Sequence, residues 1–170
     1  MDVLEFELKP LSPEALPAAL DKAVRYRLLN EPMQAESICL DILAIEPDNE
    51  KALITLLLAL TDQFDRRMSS AVKEARDLLS RFDSDYHRAY YEGIIWERRA
   101  NALHERGTPG AGHLAYDGLR QAMTCYEKAI ELRSPGNDEA VLRWNTCTRI
   151  LARHPDIKPV PADDFQPLLE

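Results

Sequence analysis

The chain has 170 residues and a mass of 19.4 kDa, enough for one domain and too short for two large ones. Apolar types at 45% and charged types at 29% suit a globular protein with its own core. A net charge of −8 argues against nucleic acid or an anionic membrane surface as the main partner, because both require surplus positive charge.

In chain order, residues 1–12 read as an N-terminal extension, with a weak alternation from Val3 to Leu8. The first helix starts near Ser12-Pro13-Glu14, where Ser12 is a cap and Pro13 suits the first helical position. It keeps its period to Leu29, and Asn30 closes it. The second begins at Pro32 and stops at Glu46-Pro47-Asp48-Asn49. A third covers about 49–64 and a fourth about 69–82. The fifth runs from about Asp85 to Gly107, the sixth from about His113 to Leu132, and the seventh from Asn137 to about Ala152. No proline interrupts the chain between Asp48 and Thr108, whereas four crowd the last sixteen residues, 155–170. The expectation is an all-α fold with a helical domain over 13–153 and a proline-rich tail over 154–170. That tail reads either as frayed or as docked through Val160, Phe165, Leu168 and Leu169.

Ala23, Tyr26, Ala35, Cys39, Ile42 and Pro47 fall at offsets that resemble a tetratricopeptide repeat, a 34-residue helix–turn–helix unit. Small residues let antiparallel helices approach, bulky ones fill the gap to the next unit, and the proline ends the second helix. Leu57, Leu60, Ala71, Ala75 and Leu78 make a weaker copy with two extra residues between its helices. A third copy has Gly93 and Trp96 in its first helix and Ala122, Tyr126, Ala129 and Pro135 in its second. The last helix, with Ala140, Trp144, Cys147 and Ile150, is similar to a capping helix. The resemblance implies an antiparallel helix-hairpin solenoid of about seven helices. Gly93 to Ala122 spans 29 residues against 12 from Ala23 to Ala35, which lengthens the third copy's helices by about two turns each, roughly 12 Å.

Chemistry is sparse. The Gly107–Gly112 cluster lacks the Lys-Ser/Thr of a phosphate loop and follows a helix. His87, His104, His113 and His154 are scattered, and His104-Glu105 lacks the second histidine of a zinc H-E-x-x-H. His104 and His113 flank one loop, but two ligands alone make a poor zinc site, so no metal or cofactor is expected. Cys39, Cys125 and Cys147 sit among apolar helical neighbours and read as small buried hydrophobes. The acidic residues of Met1 to Glu7 do not suit a signal peptide, and the most apolar run, Ala52 to Leu60, is far below the roughly 20 residues of a membrane span. A cytoplasmic protein with no membrane insertion is expected.

No catalytic set is visible, and the expectation is a non-catalytic protein-interaction module. In tetratricopeptide proteins the first helix of each repeat lines a concave groove for a peptide. Carried over by position, those residues are Leu20, Val24 and Arg27, then Lys51, Ile54, Leu58 and Asp62, then Tyr90, Tyr91, Ile94, Glu97 and Arg98. Tyr90, Tyr91, Ile54 and Leu58 form the expected anchor, with Arg27, Lys51 and Arg98 at its edge suggesting a ligand with some acidic character. Leu20 and Val24 stand where the chaperone-tail clamp of the family needs polar residues, so that subgroup is not supported. The competing expectations are a homodimer formed through the apolar face and a small secretion-type chaperone for apolar segments.

Overall fold

Seven α-helices carry the structure, a computed structural model that describes residues 5–162, and no strand occurs among those residues. Pro13–Ala15 form a 3-10 turn that leads into α1, Leu16–Leu28. Ser12 precedes that turn, but its carbonyl rather than its hydroxyl accepts, from the Ala15 amide at 2.9 Å. The expected hydroxyl cap is absent; Pro13 and Pro17 have no N–H, so fewer donors at this end need one. Asn30 ends α1 at φ 61°, with its own amide bonded to the Arg27 carbonyl and that of Glu31 to the Tyr26 carbonyl. This paired closure needs a left-handed residue, and asparagine is the commonest after glycine.

Helix α2, Pro32–Ile45, starts on its proline as expected and buries Ala35, Cys39, Ile42 and Leu43. The Asn49 side chain accepts from the Ala52 amide at 2.9 Å and starts α3, Glu50–Thr61. Helix α4, Phe64–Leu78, is broken at Arg67 (φ −143°, ψ 58°), so its regular turns begin next to the expected start at residue 69. The Ser84 hydroxyl accepts from the His87 amide and caps α5, Asp85–Arg106. Gly107, at φ 66°, stops it, and α6, Ala111–Leu132, begins two residues before the expected His113. Helix α7, Glu139–Arg153, follows.

Helices α5 and α6 have 22 residues each, against 13 and 14 for α1 and α2, so the expected lengthening is present. Each is about 33 Å long. The chain divides into two compact units between Gln63 and Phe64. In the first unit α1 packs on α2, α2 on α3, and α1 also meets α3. In the second unit α5 runs along α6, α6 packs on α7, and α4 packs on α5. Gly93 permits the α5–α6 approach, because a Cβ there would lie 2.5 Å from Cε1 of Tyr126.

The tail departs from the frayed expectation over its first residues. Ile157 is buried, and a Cβ on Gly112 would lie 2.2 Å from the Asp156 carbonyl oxygen, so the backbone after α7 rests on the first turn of α6. Val160, one of the expected docking residues, is exposed; Phe165, Leu168 and Leu169 lie outside the described residues. Of the expected alternation from Val3 to Leu8, residues 5–8 are irregular and the rest lies outside the described residues.

Candidate functional site

In the first unit the expected groove positions of α1 and α3 come together. Arg27 Nε lies 2.7 Å from Asp62 Oδ2, an ion pair that ties the C-terminal ends of the two helices. Leu20, Ile54 and Leu58 are half-buried, Val24 is 42% exposed, and Lys51 is exposed. The ion pair neutralises Arg27, so in this unit Lys51 is the expected edge cation left in open solvent. That weakens the inference of an acidic ligand and leaves the apolar strip.

The second unit corrects the expected anchor. Tyr90 and Tyr91 are each only 8% exposed. Tyr91 stacks on Phe82 at 5.3 Å, Tyr90 stacks on Tyr86 at 5.9 Å, and the two meet edge to face at 5.0 Å. Tyr86, His87, Tyr90 and Tyr91, adjacent pairs one turn apart at the start of α5, build a core cluster in which each ring is covered by another. Glu97, expected to line the groove, is 1% exposed and lies in the interior instead. It accepts from Arg143 Nη1 at 3.1 Å and from the Cys147 thiol at 3.4 Å. Arg98 is half-buried, and its charge, like that of Arg143, favours the ionised form of Glu97.

Burial nevertheless raises Glu97 above the ordinary glutamate range; Arg143, Cys147, Arg98 and the Tyr126 hydroxyl pull the other way. The tyrosine hydroxyls of Tyr90 and Tyr126 are pushed up mainly by burial. This network joins α5, α6 and α7. Sequence reading placed Cys147 among the buried residues, as found, but missed Arg143 and the link of both to Glu97; their i, i+4 spacing puts them on one face of α7. Burial also pushes the Cys39 and Cys125 thiols up to about 12, and raises Cys147. Thiols so held are protonated and poor nucleophiles.

A third cluster lies at the free end of the α5–α6 hairpin. His104 Nε2 is 2.6 Å from Asp156 Oδ2, and the His104 and His154 rings meet edge to face at 5.0 Å. One donor atom from each of the three lies within 4.8 Å of the others. His113, which the sequence paired with His104, instead places Nδ1 2.8 Å from the Lys158 carbonyl oxygen. Both histidines therefore contact the tail.

These features define an all-α protein of helical hairpins. No family model matches the chain, and no curated protein or solved structure matches it either. No helix among the described residues is long and apolar enough to cross a membrane.

Proposed function

We propose that this chain is a non-catalytic, cytoplasmic interaction module of tetratricopeptide type that takes an apolar segment of another protein on the α1/α3 face of its first unit. The observation that carries the reading is that face: Leu20, Val24, Ile54 and Leu58 form a partly open apolar strip on two helices held together by the Arg27–Asp62 pair. An apolar surface on a rigid support gains most from excluding water while losing little conformational entropy. The protonated thiols and the structural use of Glu97 supply no nucleophile or base, which favours binding over catalysis.

The test uses Val24→Glu with Lys51→Glu, both at open positions. Surface changes of this kind cost about 0.5 kcal/mol or less, so the melting temperature stays within about 2 °C. Cross-linked pull-down from the native host should recover partners with the wild type and at least tenfold less with the double variant. Equal recovery overturns the assignment of this face. A wild-type mass by light scattering of twice the chain, halved in the variant, replaces the partner segment with a second copy of the chain.

A further inference from the structure

We propose that His104, His154 and Asp156 bind a divalent transition-metal ion of the zinc class, and that this ion fastens the segment after α7 to the tip of the α5–α6 hairpin. His104 sits in the last turn of α5, His154 directly follows α7, and Asp156 lies in the next turn. Two imidazoles and one carboxylate are the donors of open zinc sites, with water in the remaining positions. Calcium and magnesium prefer all-oxygen sets, so the two nitrogens select against them.

The geometry needs little adjustment. Zinc holds such donors at about 2.0–2.2 Å, which places neighbouring donors about 3.3–3.6 Å apart. The three donor atoms already lie within 4.8 Å of one another, and the closest pair, at 2.6 Å, opens by rotating the Asp156 carboxylate. The edge-to-face contact holds the His154 ring beside His104 and Asp156, where a shared ion would use one nitrogen from each imidazole.

The frame that presents these ligands is built without the ion. Ile157 is buried, its amide donates to the His154 carbonyl at 2.9 Å, and His113 meets the Lys158 carbonyl. Gly112 leaves no room between α6 and the Asp156 carbonyl. Two ligands are thus carried on backbone that is already docked, which lowers the entropic cost of assembling the site. The carboxylate of Asp156 is 64% exposed, so an ion can enter from solvent.

The experiment takes the untagged full chain, strips it with EDTA, and titrates it with zinc chloride, with magnesium chloride as the control. Calorimetry should give one zinc per chain, no magnesium binding, and a melting temperature raised by about 5 °C or more at a hundredfold excess over Kd. His154→Gln, at an exposed position, should remain folded and bind at least tenfold more weakly. His113→Ala should keep the stoichiometry of one. Gly112→Ala removes no ligating atom but its Cβ would press on the Asp156 backbone and displace that ligand, so it should also weaken binding at least tenfold; a chance pair of surface histidines would ignore it. Absence of saturable zinc binding, or binding unchanged in both His154→Gln and Gly112→Ala, overturns the proposal.

Discussion

Glu97 is, among the described residues, the one charged side chain that is buried, and its neighbours show how such a charge is tolerated. A lone carboxylate in a protein interior is strongly disfavoured, and the Arg143 guanidinium and Cys147 thiol reduce that cost without removing it. Because burial raises its pKa, the folded state holds the Glu97 proton more tightly than the unfolded chain does. Its contribution to stability is therefore greatest below the ordinary value of 4.5 and is lost as pH rises through the folded value. Arg143→Met removes the opposing charge and pushes that folded value higher. The variant should lose about 3 kcal/mol at pH 7 and clearly less near pH 5, as measured by urea denaturation at both. Adding Glu97→Gln should recover part of the loss at pH 7. A penalty independent of pH would show that the arginine acts by packing alone.

At the scale of elements, boundaries were legible wherever a single residue decides them. Pro32 starts α2, Asn30 closes α1 and Gly107 stops α5, as the sequence indicated; the starts near 49 and 85 were also legible, though the side-chain caps of Asn49 and Ser84 emerged only in the structure. Ser12 misled because capping depends on where donors point, and the first turn there is 3-10. The start of α4 turns on Arg67, whose non-helical backbone has no local sequence cause. Close helix approach was equally legible from small residues. Ala35 and Ala122 have no exposed surface at all. Ala35→Leu and Ala122→Leu should each overpack the interior and cost about 1–3 kcal/mol in thermal or chemical denaturation. Unchanged stability in both would mean that these alanines do not set helix spacing.

At the scale of the molecule, the segment after α7 shows how a short apolar anchor acts at a chain end. Ile157 is buried, but it lies beyond the last helix, and segments at chain ends open more readily than the interior. Ile157→Ala should therefore fall below the 2–5 kcal/mol usual for a central isoleucine, at about 1 kcal/mol or less in global denaturation. Its clear signature is local: amide exchange at the start of α6, residues 111–115, should accelerate severalfold while that of α1 and α2 does not change. Protection unaltered at residues 111–115 would show that the tail does not rest there.

The sequence by itself determined the class of the protein. Helical periodicity, proline and glycine punctuation and small residues at helical spacing act within a few turns of chain, so they can be read locally. They located seven helices and the lengthened pair. Which faces are covered was decided only by the tertiary structure. Tyr90, Tyr91 and Glu97 lie on the expected face of α5, yet rings from the same helix and side chains from α7 cover them. His104 lies 50 residues before His154, and no local pattern links them. Their meeting depends on the length of α5, the fit of Gly112 under the Asp156 carbonyl and the burial of Ile157. Burial and long-range juxtaposition are properties of packing, whose partners lie far apart along the chain, and so they emerge only when the helices are assembled.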